Sequence, residues 1–268
     1  MRYRNSNPQV KLGNFPWYEM LWRSIRGDFK PRNQPAHGYS NFAEKWSTEV
    51  QWELISQRQE QALVTWLGHV SILLQVDFVN ILIDPTLANR AGPLGLFGAK
   101  RQVKAPLQAN QLPTIDIVLI SHNHYDHLCY ATISQLLKSG QNPHFYVPVG
   151  LKKWFTRRGI TQVTEMNWYD KLAINSNLNL YFTPAQHWSR RSITDTNASL
   201  WGGYIIEKKL KANNSQLTSE EVPWRFYFPG DTGYNQDFVQ IREKIGVVDF
   251  IALPIGAYLP RDFMKTMH

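Results

Sequence analysis

The sequence predicts a mixed α/β fold in which helices cover the faces of β-sheets, and three observations carry that prediction. Residues 115–121 form a near-continuous apolar run, as expected of a strand buried on both faces. Three short apolar or β-branched segments precede it, at 63–67, 71–76 and 80–84, separated by turn residues. From residue 129 onward helical and strand patterns alternate, the order that layers helices on sheets. In detail, helices are expected near 129–138, 151–158 (closed by Gly159) and 235–244. Strands are expected near 144–147, 162–166, 178–183, 201–207, 225–229 and 248–253. Residues 36–60 read as irregular or partly helical, 85–113 as a long loop, and 208–222 as an exposed hairpin or loop.

Composition narrows the class. Hydrophobic residues at 43% against 19% charged argue against disorder over the 268 residues. The single cysteine, Cys129, excludes an internal disulfide framework. No apolar run reaches the roughly 18 residues that span a bilayer, and the start, Met1-Arg2-Tyr3-Arg4-Asn5, has no apolar segment of signal-peptide type. A soluble, cytoplasmic protein is therefore expected.

The net charge of +8 is uneven. Residues 1–35 hold seven basic side chains (Arg2, Arg4, Lys11, Arg23, Arg26, Lys30, Arg32) and two acidic ones (Glu19, Asp28). Tyr3, Phe15, Trp17, Tyr18, Trp22 and Phe29 interleave with them. Tyr18, Leu21, Trp22 and Ile25 share one face of a short helix that Pro16 would open and Gly27 would close. Two readings stand: an arm that packs this face on the main domain, or a peripheral contact with an anionic membrane surface. No nucleic-acid-binding module accompanies the charge, so no nucleic acid is expected. The chain is divided into a basic aromatic extension, 1–60, and a main domain, 61–268.

The strongest chemical signal follows the buried strand: Ser121-His122-Asn123-His124-Tyr125-Asp126-His127-Leu128. Three imidazoles and a carboxylate in six residues fold poorly unless something binds them. A divalent metal does so, and neutral imidazole with carboxylate suits zinc and related ions. Loops at the carboxyl ends of strands are where α/β folds build sites. His187 and Asp231 follow later strands in the same way, and Gly230 and Gly233 would let the backbone turn tightly beside that aspartate. His69 could line the site mouth or be structural; His37 and His144 read as surface or packing residues. Asp84 is a candidate for fixing the site from behind. Gly92, Gly95 and Gly98 match no phosphate-binding pattern and read as loop flexibility.

These stretches resemble the metallo-β-lactamase superfamily, most closely the branch of N-acylphosphatidylethanolamine-hydrolysing phospholipase D and its bacterial relatives. The matching segments are Val64–His69, Leu119–Leu128, Pro184–Trp188, Leu200–Gly202, Gly230–Tyr234 and Pro254–Tyr258 followed by Pro260-Arg261. The resemblance implies an αββα sandwich with a dinuclear zinc site between two sheets. It places His122, His124 and His187 on one metal, Asp126 and His127 on the second, and Asp231 across both, with Asp126 and Asp231 catalytic. Tyr125 and His268 match substrate-contacting positions. It further implies a metal-binding histidine in a His-Trp-Gly stretch some twenty residues beyond His268. With the sequence stopping at His268, the expectation is a second site short of one ligand and a domain lacking its C-terminal strand and helix.

Two metals would hold a bridging hydroxide as the nucleophile, and no Ser or Cys nucleophile elbow is present. The leading expectation is a zinc-dependent phosphodiesterase that cleaves N-acylphosphatidylethanolamine to phosphatidic acid and an N-acylethanolamine. The alternatives are hydrolysis of a lactone, thioester or nucleic-acid phosphodiester on the same fold, or a truncated copy that binds metal or lipid without turnover.

Overall fold

A computed structural model describes residues 2–10, 17–28, 38–47, 49–96, 98–209, 222–257 and 261–268. Lys11, Phe15, Pro16, Phe29, Lys30, Arg32, His37, nearly all of the expected 208–222 hairpin, and Tyr258 and Pro260 lie outside the described residues.

The chain begins with α1 (Trp17–Arg26), α2 (Gly38–Trp46) and α3 (Trp52–Ile55). Next come β1 (Leu63–Trp66), β2 (Ile72–Val76), β3 (Val79–Ile83) and a short hairpin of β4 (Arg90–Ala91) and β5 (Ala99–Lys100). They are followed by β6 (Ile117–Leu119), α4 (Tyr130–Lys138), β7 (His144–Pro148), α5 (Lys152–Thr156) and β8 (Val163–Met166). The second half holds β9 (Lys171–Ala173), β10 (Leu178–Thr183), β11 (Gly203–Lys208), β12 (Trp224–Phe228), α6 (Asp237–Ile245), β13 (Phe250–Ile251) and α7 (Arg261–Met264).

Two sheets result, in the orders β1-β2-β3-β6-β7-β8 and β13-β12-β11-β10-β9. The first is antiparallel through β3 and parallel from β3 to β8. Side-chain alternation assigns every face. In β2 and β6, Leu73 and Val118 point outward to a core shared with Ile133 and Leu136 of α4 and Phe155 of α5. Their neighbours Ile72, Leu74, Ile117 and Leu119 point inward, against Leu180, Phe182, Tyr204, Ile206, Phe226 and Phe228 of the second sheet. Ile205 and Tyr227 point the other way, onto Ile241 and Phe238 of α6. Helix, sheet, sheet, helix: the αββα sandwich expected from the resemblance is the observed architecture.

Several boundaries differ from the sequence reading. The run 115–121 contributes only Ile117–Leu119 to the ladder; Ile120 packs into the outer core and Ser121 opens the metal loop. The expected strand near 248–253 shrinks to the edge pair Phe250–Ile251. The long loop 85–113 contains the β4–β5 hairpin and two single 3₁₀ turns. Within it, Gly98 has φ 85° and a Cβ there would fall 2.2 Å from the Ala91 carbonyl oxygen, so that glycine serves a tight turn, not flexibility.

Residues 2–10 lie on the sandwich: Tyr3 donates its backbone N–H to Asn197 at 2.8 Å, and Arg2 donates to the Thr196 carbonyl at 2.8 Å. Helix α1 forms and Gly27 follows it with φ 78°. Tyr18, Trp22 and Ile25 on this helix are 56%, 59% and 65% exposed.

Candidate metal centre

The site gathers on one edge of the sandwich, where β3, β6, β10 and β12 end. The β6 exit delivers residues 121–128; the β10 exit delivers His187; the β12 exit delivers Asp231. Gly230 makes the last step possible. Its φ is 68°, and a Cβ would lie 2.7 Å from the Gly202 carbonyl oxygen and 3.0 Å from the Ser121 Cβ. His187 is held by a segment whose Ala185 carbonyl accepts the Trp201 indole N–H at 2.9 Å. Its own backbone N–H donates to Asn5 Oδ1 at 3.0 Å.

Three ring nitrogens converge first. His124 Nδ1 lies 2.8 Å from His122 Nε2 and 3.2 Å from His187 Nε2. The hydrogen bonds behind these rings fix their tautomers. His187 Nδ1–H donates to the Met267 carbonyl at 3.2 Å, which leaves a lone pair on Nε2. The Ser121 hydroxyl donates to Asp84 Oδ2 at 2.5 Å and so accepts from His122 Nδ1–H at 2.9 Å, leaving a second lone pair on His122 Nε2. Burial pushes His122 and His187 well below the ordinary imidazole range and His124 down to about 4, so all three rings are neutral near pH 7. Lone pairs crowded this closely repel unless a cation sits among them. His124 Nε2 is also buried without a hydrogen-bond partner. This donor set fits a metal ion of the zinc type.

A second group adjoins the first. His127 Nε2 lies 3.1 Å from Asp231 Oδ2, and its Nδ1–H donates to Asp84 Oδ2 at 2.7 Å. Burial disfavours the charged His127 ring, but Asp231 and Asp126 outweigh it and raise its pKa well above the usual range. Burial likewise pushes the Asp126 and Asp231 carboxyls up, and His127 more than reverses this, holding both well below the usual carboxylate range. Without metal, an imidazolium therefore sits among carboxylates; a dication would take its proton's place.

The structure thus brings together His122, His124 and His187 as one ligand-sized group and places Asp126 with His127 in another. Asp231 Oδ2 reaches both, 3.1 Å from His127 and 3.9 Å from His187 Nε2. His268 is also drawn in, its Nε2 3.6 Å from Asp231 Oδ2 and its ring edge-on to His187. Tyr125 stays half-buried at the rim, under the Arg191 guanidinium at 3.9 Å. His144 is a packing residue, bonded to Thr164 Oγ1 at 2.8 Å on the neighbouring strand. Sequence reasoning missed Asn5 and Ser121, and no local signal marks Asn5, which lies 182 positions from its partner.

Asp84 is the support behind both groups. Besides His127 and the Ser121 hydroxyl, it accepts the Ser121 backbone N–H at 2.7 Å. Asp84→Asn is expected to weaken metal binding about 10–100-fold, measured by metal titration of the metal-free chain. Wild-type affinity in that variant would show that the carboxylate does not tune the ligands.

Comparison with known proteins identifies the family. A β-lactamase superfamily domain model matches residues 79–268. The chain is 37% identical over 213 residues to N-acyl-phosphatidylethanolamine-hydrolyzing phospholipase D 1 of Caenorhabditis elegans, covering 76% of this chain and 56% of that protein. It is 36% identical over 209 residues to the mitochondrial protein of that type from Saccharomyces cerevisiae, covering 76% and 42%. The chain spans about half the length of these curated relatives. Among solved structures, a metallo hydrolase from Ignicoccus hospitalis shares the fold at TM-score 0.52 and 24% identity, covering 73% of this chain and 71% of that one. An isothiocyanate hydrolase from Delia radicum gut bacteria does so at TM-score 0.56 and 20% identity, covering 76% and 75%. By the domain match, the kinship and the shared sandwich, the chain belongs to the β-lactamase superfamily.

Proposed function

We propose that this chain is the hydrolase domain of a phosphodiesterase that uses two zinc ions and cleaves N-acylphosphatidylethanolamine into phosphatidic acid and an N-acylethanolamine. The observation that carries the reading is the pair of adjoining ligand groups sharing Asp231 Oδ2. His122, His124 and His187 would hold one ion; Asp126 and His127 would hold the other; Asp231 would join them. Two such ions, when bound, lower the pKa of water towards neutrality and neutralise charge developing on phosphoryl oxygens. The protein's own part is to fix the ligands through Asp84, Ser121 and the Met267 carbonyl. Tyr125 with Arg191 above it lies at the rim, where a phosphate would enter, and His268 lies on the opposite flank of Asp231. The substrate class follows the relatives at 36–37% identity, whose names specify this lipid.

A lipid substrate also gives α1 a role. No helix among the described residues is long and apolar enough to cross a membrane. Exposed Trp22 and Ile25 beside Arg26 suit a helix lying on an anionic surface. Burying either side chain in lipid contributes about 1.5–3 kcal/mol. The double variant Trp22→Glu with Ile25→Glu should therefore bind anionic phospholipid vesicles at least about tenfold more weakly. Its turnover of a short-chain, water-soluble analogue should be unchanged. Equal vesicle binding in a co-sedimentation assay would remove α1 from the membrane reading.

The substrate itself is tested by incubating the zinc-loaded chain with N-acylphosphatidylethanolamine, lactone, thioester and RNA panels. Release of phosphatidic acid supports the reading. Turnover confined to another panel contradicts it, and two bound ions with no turnover on any panel would leave a binding protein.

A further inference from the structure

We infer that His69 is a protein ligand of the second cation, completing a corner with Asp126 and His127; the inference rests on the two-cation reading above. Three lines of structure converge on it.

The first is placement. His69 sits in the Gly68-His69 turn between β1 and β2, and both residues are left-handed, with φ 90° and 53°. A non-glycine residue held there is strained, and such strain persists only where the surroundings impose it. They do: Leu67 N–H donates to the Ser71 carbonyl at 2.8 Å, and the Trp66 indole N–H clamps the His69 carbonyl at 2.9 Å.

The second is the connection to the metal loop. The Ser71 hydroxyl donates to the Asp84 carbonyl and accepts the Thr86 N–H, each at 2.8 Å. The Thr86 hydroxyl in turn donates to the Asp126 carbonyl at 2.8 Å, while the Asp84 carboxylate holds His127. One short framework therefore positions all three side chains.

The third is spacing. His69 Nε2 lies 3.5 Å from Asp126 Oδ2. A charge-assisted hydrogen bond between such groups closes to about 2.7–2.9 Å. Two donors about 2.1 Å from one tetrahedral ion stand about 3.4 Å apart. The separation matches two ligands of a shared ion better than a hydrogen-bonded pair. The His69 and His127 rings are 6.1 Å apart, against 4.5–5.1 Å among the three rings of the first group. His69 must therefore swing inward by about 1 Å on loading, and its side chain, 46% exposed, has room to do so.

The test uses the 268-residue chain freed of metal and titrated with Co²⁺. His69→Gly keeps the left-handed turn and removes the ring; His69→Asn, which also tolerates that backbone, serves as the second variant. The wild-type chain should take two ions and show a hyperfine-shifted exchangeable N–H proton resonance for each ligating imidazole. In both variants the second ion should bind at least about tenfold more weakly, the first ion within about twofold of wild type, and one shifted N–H resonance should vanish. Unchanged second-ion affinity with every resonance retained overturns the inference while leaving the dinuclear reading intact. Weakened affinity with every resonance retained also overturns it, by making His69 only a positioning residue for Asp126. A wild-type chain that takes a single ion overturns the dinuclear reading and this inference together.

Discussion

Replacing Asp231 by Asn should lower hydrolysis by about 10²–10³-fold and reduce the bound metal towards one ion per chain. Asp231 Oδ2 is 3.1 Å from His127 Nε2, 3.9 Å from His187 Nε2 and 3.6 Å from His268 Nε2. Its carboxylate therefore reaches both ligand groups. Asparagine keeps the shape but removes the charge, and its amide N–H₂ can turn donors towards a place that needs lone pairs. The variant should stay folded, because the Gly230 turn and the isolated bridge between Gln186 and Gly233 are unaffected. Metal analysis together with kcat at saturating metal checks the expectation. Two tightly held ions and wild-type turnover in this variant would remove Asp231 from the centre of the account.

Trp201→Ala should cost about 3–5 kcal/mol of stability, lowering Tm by about 6–20 °C for a chain of this size. The indole is fully buried between the Ala185 carbonyl, which accepts its N–H at 2.9 Å, and the Trp168 ring 6.1 Å away. The Trp201 carbonyl in turn accepts the Trp168 indole N–H at 2.6 Å. Truncation leaves a cavity and an unpaired carbonyl two residues before His187, so metal affinity should fall with stability. Trp201→Phe separates the two effects. It fills most of the volume but leaves the Ala185 carbonyl without its donor, for a loss of about 1–3 kcal/mol. Thermal melts of the metal-free forms measure both. Trp201→Phe melting like the wild-type chain would mean that the hydrogen bond contributes nothing beyond packing.

The metal loop was legible because its chemistry is local: four ligand-type side chains within six residues, directly after a buried strand. The strand near 201–207 was legible too, but not its faces: Tyr204, Ile205 and Ile206 are all apolar, and only the sandwich sets Ile205 outward between inward neighbours. What was not legible depends on contacts far apart in sequence. Asn5 reads as one polar residue in a basic arm, yet it holds the His187 backbone from 182 positions away. The Met267 carbonyl that sets the His187 tautomer is a backbone atom and leaves no trace in composition. Strand β9 was missed because Lys171-Leu172-Ala173 is short and has no β-branched residue; pairing with β10 makes it a strand. The helical face of Tyr18, Trp22 and Ile25 was legible as amphipathic, but periodicity cannot say whether such a face meets protein or another surface.

The central claim is that water, activated at this centre, attacks the phosphorus of a phospholipid. Hydrolysis of N-acylphosphatidylethanolamine by the zinc-loaded chain in ¹⁸O-labelled water, followed by mass spectrometry of the products, tests it most directly. The account predicts a single ¹⁸O atom in the phosphate of the phosphatidic acid and none in the N-acylethanolamine. Label in the ethanolamine hydroxyl, or in a released fatty acid, would contradict it.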